Sequence, residues 1–373
     1  MKKLLIVTAL MMLALPAFAA VQNVKVSGDI ETFAVYQNEF DFRKKDSDGL
    51  DDHGFITTIT RLRVDSDLTD NVAATIRLLN ERMWGAAASC STDSETDVQL
   101  DLAYLTMKDM FYSPMTLKIG RQELAYGSKL ILGDPNTNAV SGSAGINSRA
   151  AFLSKRKAFD AIRAILDYDP WTIDLVYTKI EENHEAKDEE DVDVFGVNFA
   201  YKFNDYDAES EIYYFRVDGS ADEEASAPAI SPNEVDAGVI GIRGSLVPVD
   251  GFNLGGELAY QHGKYLKAST GDRKLAAWAA SVDGSFSFDN EYTPVLRAGY
   301  DYRSGQKAES TTGKYKAWLP MLEDQTKGII ADYLLAGVNG GITSNAHIFN
   351  PGGSINPMED LKVSLDWHHY RLA

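Results

Sequence analysis

Met115-Thr116-Leu117-Lys118-Ile119-Gly120 sets apolar side chains at 115, 117 and 119 against polar or small ones between them. Successive side chains leave a strand on opposite faces, so a period of two marks a half-buried strand. The pattern breaks at Gly120-Arg121-Gln122-Glu123-Leu124-Ala125-Tyr126-Gly127. A stretch rich in Gly, Ser and Asn then runs to about Ala150, and Lys129, Arg149, Lys155, Arg156 and Lys157 lie in or just beyond it. Phe159-Asp160-Ala161-Ile162-Arg163 opens a returning strand that ends at Asp169-Pro170-Trp171. A connection this long is out of place in a compact soluble domain. Inside a barrel it has a use, and residues 125–157 are predicted to fold inward and narrow a channel.

Upstream, residues 1–19 read as a secretory signal. Lys2-Lys3 supplies the positive start, Leu4 to Leu15 the apolar run, and Ala17-Phe18-Ala19 a small-x-small cleavage site. The mature chain, 20–373, is expected to begin at Ala20 or Val21. No later apolar run is long enough for a membrane-spanning helix, and mean hydropathy is −0.23. Alternating strands hide an apolar face from such averages. The single Cys90 excludes an intramolecular disulfide framework and offers no zinc spacing. A net charge of −19 and a pI near 4.7 argue against nucleic-acid binding.

The same alternation recurs along the chain. Strands are predicted at 24–36, 55–65, 72–84, 98–108, 115–120 and 159–167, then at 171–180, 192–203, 209–217, 235–247, 252–263, 274–288, 292–304 and 361–372. Tight turns such as Asn204-Asp205-Tyr206-Asp207 and Asp289-Asn290-Glu291 alternate with long loops such as 181–191, 218–234 and 305–360. Long loops on every second connection are the mark of an outer-membrane barrel. The fold class is therefore all-β, a transmembrane antiparallel β-barrel of about 14 strands. A hairpin around Ile329-Ile330 would add strands. The chain ends at Tyr370-Arg371-Leu372-Ala373 without a terminal aromatic. Further strands are expected beyond it, for a total of about 16–18.

Alternation also assigns faces. A cation facing lipid at the bilayer midplane costs about 2–4 kcal/mol, so rows that carry charge must face the lumen. That rule places Arg61, Arg63, Asp65, Arg77 and Glu81 inside, followed by Arg216, Arg243, Glu257, Arg297, Asp301 and Arg303. Rows such as Phe195-Val197-Phe199-Tyr201-Phe203 then face lipid. Arg121 is in phase with Ile119, and Asp160 is out of phase with Arg163, so these two are expected at the rim or beside a bulge. The acidic excess sits in loops, as in Asp46-Ser47-Asp48 and Asp222-Glu223-Glu224. Arginines with few acidic neighbours focus positive potential and favour anions. Guanidinium groups pair bidentately with carboxylate or phosphate. The competing reading is that these arginines pair with Asp65, Glu81, Glu257 and Asp301 and brace the barrel.

Gly120-Arg121-Gln122, followed by Tyr126-Gly127 and the basic Lys129, resembles the alginate export family, outer-membrane barrels that pass an anionic uronate polysaccharide. Phe159-Asp160-Ala161-Ile162-Arg163 and the late Leu365-Asp366-Trp367-His368-His369-Tyr370-Arg371 extend the resemblance. Ala161 stands where the family often has Gly, and Lys129 where Arg is common. The resemblance implies a bacterial outer-membrane location and a path for acidic saccharides or small organic anions. It implies Arg121 and Arg163 as constriction residues, with Lys129 beside them. Expected partners are outer-membrane lipid, lipopolysaccharide and periplasmic export machinery. No cofactor is expected.

Other chemistry reads weakly. His368 and His369 are neighbours on a strand and point to opposite faces, which opposes a shared metal. Asp46-Ser47-Asp48-Gly49 lacks the closing Glu of an EF-hand loop. Ser344-Asn345-Ala346-His347 places a Ser near a His in sequence, which is not the geometry of a hydrolase. An enzyme or a partner-binding shell would gather its polar groups in one place, whereas here inward charge comes from many strands. A transport channel is the expected function; the alternatives are a non-transport barrel and a general diffusion porin.

Overall fold

The computed structural model describes residues 23–38, 52–85, 98–135, 153–181, 192–219, 235–265, 273–307, 313–325 and 344–373. The predicted signal segment, the acidic stretch 39–51, Cys90 and the hairpin expected at Ile329-Ile330 lie outside them. Every regular element among the described residues is a strand. In chain order these are β1 (Asn23–Asn38), β2 (Asp52–Thr69), β3 (Val72–Met83), β4 (Gln99–Lys108), β5 (Met115–Glu123) and β6 (Ala158–Asp167). Next come β7 (Trp171–Glu181), β8 (Val192–Lys202), β9 (Glu209–Gly219), β10 (Val235–Val249), β11 (Phe252–Tyr265), β12 (Arg273–Ser287) and β13 (Val295–Arg303). The last four are β14 (Ala346–Phe349), β15 (Gly352–Met358), β16 (Leu361–Asp366) and β17 (His369–Leu372).

Each of the first thirteen strands pairs antiparallel with the next, in one continuous meander. The final four strands are two interrupted ones. β14 and β15 both pair with β13, and Asn350 bridges them by exchanging backbone hydrogen bonds with Gly299. β15 pairs with β16 and β14 with β17. The chain thus crosses the sheet fifteen times, against about fourteen predicted, because 346–358 is a crossing and not a loop. Ala346-His347-Ile348-Phe349-Asn350-Pro351-Gly352-Gly353 carries a break that reads as a turn. The sheet absorbs it, since a Pro with no N–H sits where the ladder is already interrupted. β1 and the β16–β17 crossing run in the same direction. No pairing joins them among the described residues, so the sheet is not closed there.

All long connections lie at one end. Short turns at 70–71, 109–114, 168–170, 203–208, 250–251, 288–294 and 359–360 make the other end. One face carries large exposed apolar side chains, including Leu62, Ile76, Phe195, Phe199, Ile240 and Leu258. An apolar surface of that extent has to be covered, and a bilayer covers it. The opposite face is concave. A single buried cluster joins Phe159, Val176, Val194, Phe215, Val239, Ala259 and Leu275, which come from β6 to β12. Strands that far apart share one cluster only if the sheet curls around it.

Inside that cluster sit two connections. Leu124, Leu130, Ile131 and Leu132 follow β5, and Trp318, Leu319, Met321 and Leu322 follow β13; all are buried. Each such side chain withdrawn from water contributes about 1.5–3 kcal/mol. The two connections also pair with each other through a parallel bridge between Leu132 and Leu322. The inner face near the long connections is therefore apolar and filled. Toward the short turns it becomes polar.

Candidate functional site

Two strand glycines let the charged rows form. Gly120 has φ +120°, and a Cβ there would fall 2.2 Å from the Ala103 carbonyl oxygen. Only glycine fits, and the kink breaks the row between Ile119 and Arg121. Gly352 is flanked by Arg297 on β13 and Asp366 on β16, and a Cβ on it would fall 2.1 Å from Asp366 Oδ1. Its missing side chain lets the guanidinium reach across β15. Arg297 Nε and Nη2 donate to the two Asp366 oxygens at 2.7 Å each.

Among the described residues, each predicted lumen or constriction cation has a carboxylate partner. Arg61 donates to Asp29 and Glu31 on β1, at 2.7 and 2.8 Å. Arg63 meets Asp65 at 2.8 Å, and Arg77 is held by Asp101 and Glu123. Arg163 Nε donates to Asp174 at 2.7 Å, with its guanidinium 5.3 Å from the Tyr126 ring centroid. Arg243 meets Glu211 at 2.8 Å, and Arg303 lies 3.6 Å from Glu323 and bonds Gln325. The expectation of arginines with few acidic neighbours is corrected here. The partners come from other strands, from the same row as for Asp65, or, for Arg303, from the connection after β13.

One predicted lumen residue stands elsewhere. Arg216 shares its row with Ile212 and Tyr214, while Tyr213, Phe215 and Val217 fill the inner row of β9. It is thus on the outward face, ion-paired with Asp236 near the long-connection end. The rule that charge faces inward fails at the rim, where water and headgroups solvate it. Arg121 follows the Gly120 kink, beside the irregularity expected for it, and contacts Asp160 at 3.0 Å, whereas Arg163 is held by Asp174.

Of the bracing partners foreseen, Asp65 pairs with Arg63 and Glu81 lies 3.4 Å from Arg156 Nε. Glu81 accepts from Ser154 Oγ and from the Lys155 backbone N–H at 2.7 Å. Glu257 accepts from Tyr213 Oη at 2.6 Å and from the Ser128 N–H at 3.0 Å. Asp301 accepts from Asn350 Nδ2 at 3.0 Å. Beneath Ser128, Arg243, Asn253, Glu257, Ser281 and Asp283 line a polar cavity of about 210 Å³.

The two inward connections meet in an ion cluster. Lys129 Nζ donates to Asp324 at 2.7 Å, and Lys157 Nζ lies 3.1 Å from Asp324 and also bonds Asp134. Burial pushes the Asp324 carboxyl up, but Lys129 and Lys157 outweigh it and leave it below the usual carboxylate range. Burial likewise lowers the Lys157 ammonium, and Asp134 and Asp324 more than restore it, so it stays above its ordinary value. Of these four residues the sequence pointed to Lys129 and Lys157 alone. The signal for the Asp324 segment was present: Trp318-Leu319-Pro320-Met321-Leu322 is an apolar run inside a long polar connection.

His368 Nδ1 lies 2.9 Å from Asn350 Oδ1, while His369 packs on the other face against Phe349 and Trp367. Among the described residues no group of three or more His, Cys, Asp or Glu could hold a metal ion.

A family model described as alginate export matches residues 24–373. No curated protein matches the chain by sequence. Among solved structures it is similar to a double mutant of the Rh. blastica porin, at 13% identity and a TM-score of 0.46, over 93% of this chain and 94% of that one. A triple mutant of the Rhodopseudomonas blastica porin gives the same identity, coverage and score.

Proposed function

The chain belongs to the alginate export family, and from that premise we propose that it is an outer-membrane channel that passes anionic solutes, acidic saccharides foremost. The supporting observation is that inner-face guanidiniums stay within reach of the lumen while paired. Arg63 and Arg297 keep 38% and 34% of their side-chain surface exposed. A guanidinium has five donors, and one carboxylate leaves some of them free. A passing uronate can take those, or exchange with the resident carboxylate, at little cost in a wet bore. The inward connections after β5 and β13 narrow that bore. Reversal potentials in planar bilayers test the reading. Substituting Arg61, Arg63 and Arg297 together by Gln should lower anion-over-cation permeability, most clearly at low salt, where screening is weak. An unchanged ratio would refute it.

The pairing of these described arginines favours a second reading, a diffusion channel whose charge pairs only brace the wall. The same triple substitution would then weaken heat resistance and leave selectivity untouched.

A further inference from the structure

We propose that Lys129, Lys157, Asp134 and Asp324 form an exchangeable latch, at which the carboxylate of an acidic saccharide replaces Asp324 and releases the plug. The inference rests on the anionic-solute reading above and names the site through which such a solute would open its own path.

The connections after β5 and β13 form one body. The Gly133 and Asp134 N–H groups donate to the Leu322 carbonyl at 2.7 and 3.0 Å. Leu322 N–H donates to Ile131 at 3.2 Å, and Asp324 N–H to Lys129 at 3.0 Å. Gln325 Nε2 reaches the Ser128 carbonyl at 3.2 Å. A second set of bonds ties this body to the wall: Gln261 of β11 donates to the Leu319 carbonyl at 2.7 Å and accepts its N–H at 2.9 Å.

The ion cluster is the weak point of that body, for three reasons. Its two ammonium groups share one carboxylate, Asp324, so removal of that carboxylate loosens both connections at once. Lys129 keeps 44% of its side-chain surface exposed, which gives a solute direct access. Its backbone sits at φ +62°, a left-handed conformation that costs a non-glycine residue about 1 kcal/mol or more. The Asp324 N–H bonds the Lys129 carbonyl and the Lys129 N–H bonds the Tyr126 carbonyl, so the strained residue lies at the cluster itself. A uronate carboxylate offers Lys129 the same two oxygens as Asp324 and is not tethered to the plug. A neutral sugar offers no such exchange.

Single-channel recording of the full chain in KCl tests the proposal with wild type, Asp324→Asn, and Ser128→Cys combined with Gln325→Cys in a Cys90→Ser background. Trigalacturonate and maltotriose serve as charged and neutral probes. Asp324→Asn should raise the open fraction several-fold without any saccharide and abolish the response to trigalacturonate. In wild type trigalacturonate should raise the open fraction several-fold and maltotriose should not. The oxidised cysteine pair should stay closed with trigalacturonate and open on reduction. Wild-type gating in a heat-resistant Asp324→Asn barrel would overturn the proposal, as would equal opening by maltotriose. If wild type prefers anions and Asp324→Asn gates normally, the latch falls and the channel reading stands. If wild type prefers cations yet trigalacturonate opens it through Asp324, the channel reading falls and the latch stands.

Discussion

Arg163 and Arg297 are both arginines on an inner row, yet their pairs should behave differently when broken. Asp174, the partner of Arg163, is 4% exposed. Replacing Arg163 by Gln leaves a buried carboxylate without its cation, a change that costs about 3–5 kcal/mol. Asp174→Asn in the same chain should recover most of that loss, as expected for coupled partners. Urea midpoints in liposomes, read by tryptophan fluorescence, check both. Arg297 and Asp366 are about a third exposed, so Arg297→Gln should cost less than about 1 kcal/mol despite its bidentate geometry. Gly120→Ala should be the more damaging of the small changes. It forces a Cβ against the Ala103 carbonyl at a left-handed φ, at a cost of about 1–3 kcal/mol. At this scale the sequence was only half legible. The identity and row of Arg61, Arg63 and Arg243 could be read from alternation. Asp65, in the row of Arg63, could be read too, but the partners of Arg61 and Arg243 could not, because Asp29, Glu31 and Glu211 come opposite them only through a register that no local pattern encodes.

At the level of elements, the plug should respond to pH with a definite sign. Asp324 is depressed, so its contribution is complete above the unfolded carboxylate value of about 3.9 and is lost as pH falls through the lower folded one. Lys157 is raised, so its contribution is complete below about 10.4 and is lost as pH rises through its folded value. Conductance should therefore be low and flat between roughly pH 4 and pH 10 and rise on either side. A rise centred near neutrality would show that some other group holds the plug. The first thirteen strands were legible because each has one apolar row facing lipid. The crossing at 346–358 was not, because Pro351 and Gly352-Gly353 imitate a turn. The apolar inner row of β8 was also hidden. Val192 and Val194 face the plug while Phe195 and Phe199 face outward, so the strand shows no contrast for a period of two to reveal.

For the whole molecule, the uneven lengths of the connections predict orientation. A tag inserted between β7 and β8 should label on intact cells, and one at Asp250 should not; the reverse order would invert the topology. Circular dichroism in detergent should be β-rich. The architecture also sets an order of events in time. Each sheet pairing joins neighbouring crossings, so the meander can zip from hairpin to hairpin with little loop-closure entropy. The plug is different: Lys129 and Asp324 are 195 residues apart, and their meeting needs eight intervening crossings in place. A nascent barrel would accordingly pass through a stage with its wall built and its bore unobstructed. Trp318, fully buried in the connection after β13, should be the last tryptophan to lose its solvent. A slow fluorescence phase carried by that one side chain would time the sealing of each newly made channel.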